Sequence, residues 1–336
     1  MTDYEPGYIA LYRSGELERR AKVLEARLGA CDICPRECRA NRLKGGVGHC
    51  YAGLLPIVSS VCAHNGEEPV LSGTHGSGAI FFGNCNMRCV YCQNYQISQD
   101  HKTQRKNQVT AAELAEKMLY LQDELHCHNI NLVTPSHFVP QIVQAVLETV
   151  PKGLRLPLVY NTSSYDSLKT LKELDGIVSI YLADIRYASN DLGRKYSRAR
   201  NYADHARAAI SEMQRQVGDL VVDDEGIAQK GLIVRHLILP NDIAGSGESL
   251  RWLVKEVSPQ VAVSVMSQYY PAHRADKYKA LNRKINPEEY AAVAGLVEEL
   301  GIENGWMQEL DAAENYRPDF TDEEPFEGKR KRERRR

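Results

Sequence analysis

The chain alternates six times between a short apolar run and a segment with a helical pattern. The apolar runs cover residues 79–82, 129–134, 156–161, 177–185, 232–239 and 261–269. Strands that are apolar along their whole length are typical of a parallel sheet covered on both faces, and such strands are joined by right-handed crossovers. The pattern therefore predicts an α/β fold, either an open six-stranded (β/α) barrel or a doubly wound sheet. In both, ligands bind at the carboxyl ends of the strands.

Three cysteines follow the first apolar run, Cys85, Cys89 and Cys92, separated by three residues and then two. Three thiolates on one loop can hold a 4Fe–4S cluster and leave one iron without a protein ligand. A structural zinc site usually has four protein ligands, and no fourth ligand follows Cys92 at zinc-finger spacing. An odd number of cysteines also argues against a disulfide framework. The spacing thus indicates an iron–sulfur site with an open coordination position.

A second group of cysteines lies upstream, at Cys31, Cys34, Cys38 and Cys50, with gaps of two, three and eleven residues. Four thiolates within this short segment predict a second metal site, and their number suits zinc and a second 4Fe–4S cluster equally. Pro35 beside a ligand and the iron–sulfur motif downstream favour a cluster. A purely structural metal remains an open alternative.

Composition is that of an ordinary globular protein, with 43% hydrophobic and 26% charged residues. No apolar stretch is long enough for a membrane span and no signal peptide is evident, so we expect a cytoplasmic protein without membrane contact. Nine cysteines in such a chain indicate metal ligands or reactive thiols. Residues 329–336 hold seven basic residues and one acidic residue, so the remaining chain carries a net charge of −8. Nucleic acid is therefore an improbable partner.

Three segments are expected along the chain. Residues 1–74 form an extension with the four-cysteine segment, residues 75–310 the α/β domain, and residues 311–336 a disordered tail. Within the extension, about 30 residues at the start read as an exposed helical segment, because Leu17 and Leu24 belong to an apolar stripe at helical spacing. Residues 51–77 are expected to link the two cysteine groups.

Local signals also mark the ends of two helices. Thr110 followed by Glu113 predicts a capping box, and Asn286 followed by Pro287 predicts the start of the last helix.

Polar side chains follow most predicted strands, where a ligand is expected. The candidates are Thr134, Ser136, Asn161, Ser163, Asp184, Arg186, Arg235, His236 and Gln268. Asp184 is unusual inside a parallel strand, and it either contacts the ligand or forms a buried ion pair with Arg186 or Arg235. His137 and His236 are the candidate imidazole bases. In the linking segment, Glu67 and Glu68 either face the cysteine loop or form an exposed acidic turn, which is the commoner outcome for such a pair.

The Cys-x3-Cys-x2-Cys motif, with Tyr91 before its last cysteine, resembles the signature of the radical S-adenosylmethionine (SAM) enzymes. In that superfamily the open iron of a 4Fe–4S cluster binds SAM, and reductive cleavage gives a 5′-deoxyadenosyl radical that abstracts hydrogen. The resemblance implies a partial (β/α)6 barrel, 4Fe–4S and SAM as cofactors, oxidoreductase activity, and a reductase, flavodoxin or ferredoxin as electron donor.

Longer stretches are similar to the group of pyruvate formate-lyase activating enzymes. They read CPREC, GEEPVLSGTHGSG, CVYCQNYQISQ, LVTPSHFVPQI, VYNTSSY and YLADIRY. Glycyl-radical activases carry Asp-x-Lys and Arg-His on their fourth and fifth strands, matched here by Asp184–Arg186 and Arg235–His236. The resemblance thus implies that Asp184 and His236 take part in catalysis. It departs at Thr134, Pro135 and Ser136, which replace a Gly-Gly-Glu that binds the amino group of SAM, and in the cysteine segment, which precedes the motif.

Three functions follow from this resemblance. The first is an activase that abstracts hydrogen from a glycine of a partner glycyl-radical enzyme. The second is a radical SAM oxidoreductase that modifies a small molecule, a peptide or another protein. The third, an iron–sulfur electron carrier or scaffold, is weaker, because an incomplete set of cluster ligands has no use in it.

Overall fold

The computed structural model describes residues 4–314, 318–320 and 325–326. The described strands are β1 Val58–His64, β2 Ser77–Phe82, β3 Ile130–Val133, β4 Leu158–Thr162, β5 Ile180–Asp184, β6 Val221–Val222, β7 Ala228–Leu237, β8 Ala262–Met266 and β9 Gly305–Met307. The described α-helices are α1 Gly7–Arg13, α2 Glu16–Ala26, α3 Pro69–Ser72, α4 Tyr95–Ser98, α5 His101–Gln104, α6 Ala111–Asp123, α7 Val139–Thr149, α8 Leu168–Glu173, α9 Asn190–Ser197, α10 Tyr202–Val217, α11 Ser246–Trp252 and α12 Pro287–Glu299. Short 3-10 helices cover Arg27–Ala30, Arg42–Lys44, Arg105–Asn107, Val150–Lys152, Pro240–Asp242, Ala275–Lys277 and Leu310–Glu314, and a π-helical turn, Leu253–Val257, continues α11.

The sheet is mostly parallel and follows the order β1-β2-β3-β4-β5-β7-β8-β9, with the short β6 paired to β7. The six predicted strands are β2, β3, β4, β5, β7 and β8, and each pairs in parallel with the next. A strand order that follows the chain suits a barrel, because a doubly wound sheet reverses its order at a switch point. The predicted α/β fold is confirmed as a barrel-like, mostly parallel sheet.

Besides the short β6, two strands of the described sheet lie outside the six that were predicted. The short β9 adds a parallel strand beside β8, and β1 pairs antiparallel to β2. The segment 51–77 is therefore more than a link, since β1 begins the sheet within it. Its sequence, VSSVCAH, lacks a continuous apolar run because six of its seven residues are only half-buried. This strand also lies before residue 75, where the α/β domain was expected to begin.

The interior of the sheet is apolar at the amino ends of the strands. Ile180 and Leu182 on β5 pack with Ile233 on β7, and Leu71 from α3 joins the same buried cluster. Residues of opposite orientation, such as Tyr181, pack instead in the large core between sheet and helices. Because side chains alternate along a strand, the next inward positions after Leu182 and Ile233 are Asp184 and Arg235. The interior thus changes from an apolar floor containing Leu71 to a polar carboxyl end.

The first helices are buried on one side, contrary to the expected exposed segment. Two helices, α1 and α2, replace the single one, with a break at Ser14 and Gly15. Leu17 and Leu24 have no exposed surface and join the core that also contains residues of α7. The helical periodicity was correct, and the exposure was wrong because the stripe packs on another helix.

Both predicted helix starts are confirmed. Thr110 and Glu113 form a reciprocal capping box at the start of α6, as Asn286 and Glu289 do at the start of α12. In the part of the chain that the structure describes, no helix is long and apolar enough to cross a membrane.

Candidate active site

The cysteine motif occupies the loop that leaves the carboxyl end of β2. Gly83 begins this loop beside Ile57, the residue before β1, where a Cβ atom would collide with the Ile57 side chain. Further along, the loop is fixed by backbone hydrogen bonds from Arg88 and Val90 to the carbonyls of Ser197 and Tyr196 in α9. The loop is therefore held by both the first strand and a helix on the far side of the barrel.

The three cysteines line one cavity of about 230 Å³. The Cys85 sulfur accepts a hydrogen bond from the Met87 backbone N–H at 3.3 Å, and the Cys89 sulfur accepts one from the Ser197 hydroxyl at 3.1 Å. Cys92 lies 3.1 Å from the Ser98 hydroxyl. These donors stabilise thiolate charge and occupy defined sides of each sulfur.

Without a bound cation Cys85 and Cys92 favour the neutral thiol form. Burial, and then the neighbouring Cys89 thiolate, raise the pKa of Cys85 to about 12 and that of Cys92 to about 11. An electropositive centre among the sulfurs reverses this preference, because a coordinated thiol is deprotonated. One buried and two half-buried cysteines that line the same cavity and have hydrogen-bonding groups at their sulfurs fit an iron–sulfur cluster.

The same cavity is lined by most of the predicted strand-end residues. Seven of the nine candidates line it, namely Thr134, Asn161, Ser163, Asp184, Arg186, Arg235 and Gln268. Gln93, which follows the cysteine motif, also lines it and donates a hydrogen bond to the Gln268 carbonyl at 3.0 Å. The barrel topology thus gathers residues that are far apart in the sequence.

Asp184 is the centre of a charged network in this cavity. Its carboxylate accepts a hydrogen bond from Arg235 Nε at 2.8 Å and forms an ion pair with Arg186. Arg235 Nη2 donates to the side-chain oxygen of Asn161 at 2.6 Å. Burial opposes the charge of Arg235, but the combined attraction of Asp184, Glu68 and Glu67 outweighs it and raises the pKa of Arg235. The buried ion pair foreseen for Asp184 is present, and the residue also lines the cavity, so its contact with a ligand stays a prediction.

Two candidates lie outside the cavity. His236 is fully buried on the opposite face of β7, where its ring nitrogens contact the Ile185 carbonyl and the Ser246 hydroxyl, each at 2.9 Å. Burial lowers the pKa of His236 to about 4, so the ring is neutral. Ser136 is buried with its hydroxyl 3.2 Å from that of Thr162. The structure therefore does not bring His236 or Ser136 to the other site residues, and a base role for His236 is not supported by its position.

The other candidate imidazole, His137, is also enclosed. Its Nε2 contacts the Gly83 carbonyl at 3.0 Å, and burial lowers the pKa of His137 to about 3. This ring supports the start of the cysteine loop and does not line the cavity.

Glu67 and Glu68 are not the exposed acidic turn that was the commoner expectation. Both line the cavity, and Glu67 Oε2 lies 3.3 Å from Arg235 Nη1. The two glutamates precede α3, which places Leu71 in the apolar floor. The sequence did not predict this contact, because Glu67 and Arg235 are 168 residues apart.

Residues near the C-terminus cover part of the cavity. Pro318 and Phe326 line it, and the rings of Phe320 and Phe326 each lie 5.3 Å from that of Phe81 on β2. Gln96 bonds to the Asp319 side chain at 3.0 Å. The described part of the predicted tail is therefore packed on the site, and the remaining residues of 311–336, with the basic run, lie outside the described residues.

The four upstream cysteines are brought into one neighbourhood. A Cβ at Gly48 would lie 2.9 Å from the Cys38 sulfur and 3.5 Å from that of Cys50. Burial, followed by the charges of Cys50 and Cys31, raises the pKa of Cys34. Cys38 is the exposed member of the group.

Neither cysteine group encloses a single ion as it stands. Among the described residues, no three or more His, Cys, Asp or Glu side chains are placed to hold one metal ion.

Comparison with family models finds a match for part of the chain. Residues 79–223 match the family described as the Radical SAM superfamily. This span runs from β2 through the cysteine loop to β6, so it is this part of the chain that is similar to radical SAM proteins.

Two further proteins are similar to this chain. One is an uncharacterized protein of Methanocaldococcus jannaschii, 27% identical over 291 residues, which cover 85% of this chain and 80% of the relative. Among solved structures, methylornithine synthase (PylB) has 18% identity and a TM-score of 0.41, over 67% of this chain and 68% of that structure.

Proposed function

We propose that this protein reductively cleaves SAM and directs the resulting radical to a hydrogen atom of a substrate held in the cavity. The observation that carries the proposal is the meeting of Cys85, Cys89 and Cys92 with the strand-end network of Asp184 and Arg235 in one cavity. An electron carrier would need neither an incomplete set of cluster ligands nor a polar cavity beside it.

The chain's own residues would bind and orient the two cofactors. When bound, the cluster and SAM supply an electron and a 5′-deoxyadenosyl radical. Hydrogen bonds to the sulfurs from Met87, Ser98 and Ser197 stabilise the thiolates and tune the potential of the site. The electron donor would be a reductase, a flavodoxin or a ferredoxin.

The strand ends supply contacts for SAM. Thr134, whose backbone is in the left-handed region with φ 62°, would offer its hydroxyl and carbonyl to the amino group in place of the missing acidic residue. Asn161 and Ser163 would bind the ribose hydroxyls. Asp184 has a positioning role, because it holds Arg186 and Arg235 with their charges in the cavity.

The activase is one candidate for the finer function, and it rests on the sequence resemblance. It would receive the glycine loop of a glycyl-radical enzyme at the mouth of the cavity. A second candidate, modification of a small molecule or a peptide, is favoured by the packing of Pro318 and Phe326 along the cavity, which leaves less room for a protein loop.

The radical chemistry is tested with anaerobically reconstituted protein. With dithionite as reductant, we expect SAM to be converted to 5′-deoxyadenosine and methionine. A protein whose cluster is verified by spectroscopy but which never cleaves SAM would contradict the proposal.

The substrate class is tested separately. Incubation with a glycyl-radical partner should give a doublet in electron paramagnetic resonance if the protein is an activase. Transfer of deuterium from a labelled small molecule or peptide into 5′-deoxyadenosine supports the second candidate and excludes the first if no doublet forms.

The upstream cysteines are proposed to hold a second metal, a 4Fe–4S cluster or zinc. Metal and sulfide analysis should give about eight irons per chain for two clusters, or about four irons and one zinc for one of each. Cys34→Ala then separates the roles. If the variant still cleaves SAM but forms no product, the upstream metal acts on the substrate. If the variant is no longer soluble, the upstream metal is structural.

A further inference from the structure

One carboxylate oxygen that lines the cavity has no hydrogen-bond partner among the described residues, although its carboxyl group also contacts Ser264. Glu68 is 8% exposed, lines the cavity and has an Oε2 atom without a hydrogen-bond partner in the described structure. Leaving a buried polar atom unpaired costs free energy, and a buried carboxylate is normally paired. The unpaired oxygen therefore indicates a group that is supplied from outside the chain.

Arg235, the cation that attracts Glu68, already donates hydrogen bonds to other residues. Arg235 donates from Nε to Asp184, from Nη2 to Asn161, and from Nη1 to Glu67. Its guanidinium plane is thus shared among three other acceptors, and none of these hydrogen bonds reaches Glu68. A second acidic residue, Glu67, lies next to it in sequence and lines the same cavity.

The acidic side chains that line this part of the cavity outnumber the basic ones. Asp184, Glu67 and Glu68 carry three negative charges when ionised, and Arg186 and Arg235 carry two positive ones. A ligand group with one positive charge balances the set and pairs with the free oxygen of Glu68. An anionic group would add to the excess.

We propose that Glu67 and Glu68 form an acidic subsite that receives a protonated amine or a guanidinium group of the substrate. The subsite lies between the strand-end network and the floor, since Leu71 follows Glu68 by three residues and Ser264 of β8 is beside it. It rests on the proposed function, because it assigns the charge of the molecule from which hydrogen is abstracted. The substrate class is thus an organic cation or a peptide with a basic side chain.

The subsite can be tested without any radical chemistry. Saturation-transfer NMR on the full chain, with no SAM added, would compare n-butylamine and agmatine with 1-butanol and butyrate. We expect signals from the two cations, and weak or no signals from the neutral and anionic molecules. Equal signals from 1-butanol and n-butylamine would overturn the proposal.

Substitutions of Glu68 test whether n-butylamine binds at the acidic subsite. Glu68→Gln should weaken binding of n-butylamine about tenfold, the effect of losing a hydrogen bond to a charged group. Glu299→Gln is the control, because that side chain is 65% exposed on the surface. If Glu68→Gln does not fold, as judged by circular dichroism, Glu68→Asp retracts the carboxylate and should also weaken binding. Unchanged binding of n-butylamine by a folded Glu68 variant would overturn the proposal.

SAM is itself an ammonium-bearing molecule, so its binding is measured in parallel on reconstituted protein. Equal affinity for SAM in wild type and Glu68→Gln supports a substrate subsite. A tenfold loss of affinity for SAM would assign Glu68 to the cofactor and overturn the assignment to substrate. Failure of SAM cleavage by the wild type contradicts the proposed function alone, because amine binding is read out without it.

Discussion

Arg36, inside the four-cysteine segment, donates a hydrogen bond from Nε to the backbone carbonyl of Asn86 at 2.8 Å. Asn86 lies between the first and second cysteines of the radical motif. A second contact runs in the opposite direction, from Arg88 Nη2 to the His49 carbonyl at 2.7 Å. The two cysteine segments are thus directly joined, and the upstream segment supports the loop that holds the proposed cluster.

Arg36→Met should loosen the radical loop while keeping a side chain of similar length. We expect the cluster of the radical motif to be lost to an iron chelator several-fold faster, because a hydrogen bond from a charged donor contributes about 1.5–3 kcal/mol. The measurement is the decay of cluster absorbance under anaerobic conditions. Arg39→Met is the control, since its side chain is 60% exposed. Equal decay rates in the two variants would show that Arg36 does not support the loop.

Cys89→Ala should abolish SAM cleavage, because two thiolates hold a 4Fe–4S cluster poorly. The assay is formation of 5′-deoxyadenosine with dithionite. Cys62→Ala is the matched control, since Cys62 is half-buried on β1 and does not line the cavity. Cleavage by Cys89→Ala at the wild-type rate would refute the ligand set.

Asp184→Asn should destabilise the protein and weaken SAM binding. Removing one partner of a buried ion pair costs about 3–5 kcal/mol, because the two arginines are left with uncompensated charge. Urea unfolding of the metal-free protein measures the first effect and equilibrium binding the second. Asp191→Asn is the control, at a carboxylate that is 86% exposed. If Asp184→Asn lowers the free energy of unfolding no more than Asp191→Asn does, the network contributes no stability.

Glu68→Gln should make the protein more stable at high pH. Burial raises the pKa of Glu68 from 4.5 to about 7, against the attraction of Arg235. A carboxyl with a raised folded-state pKa favours folding only while it is protonated, so stability is lost as the pH rises from about 4.5 through 7. The variant should therefore gain up to about 3 kcal/mol in unfolding free energy at pH 8 and little at pH 4.5.

Urea unfolding at the two pH values measures this difference. If Glu68→Gln gains as much unfolding free energy at pH 4.5 as at pH 8, or more, the prediction is wrong. If the variant loses unfolding free energy at both pH values, Glu68 is a structural residue. A stabilising substitution of a buried side chain is typical of a functional site, where local strain is tolerated for the sake of a ligand.

The sequence predicted those features that depend on neighbouring residues. The capping boxes at Thr110 and Asn286 involve side chains three positions apart, and the six parallel strands are continuous apolar runs. Asp184 was also singled out correctly, because a carboxylate is unusual inside an apolar parallel strand. These features need no knowledge of the rest of the fold, which is why they were predicted correctly.

Features that depend on distant partners were not predicted. The burial of Glu67 needs Arg235 on a strand near the other end of the domain, and the position of β1 depends on pairing with β2. His236 was expected beside Arg235 in the cavity, but adjacent residues of a strand point to opposite faces, so only one of the two can face inward. That error could have been avoided from the strand alternation alone.

The short loop before β2 supplies Glu67, Glu68 and the floor residue Leu71, and it turns back at Gly73, where the left-handed φ of 45° favours glycine. The cysteines come from the other end of the same strand. Substitutions in this loop would therefore alter the proposed acidic subsite and leave the cysteine loop, at the opposite end of β2, unchanged.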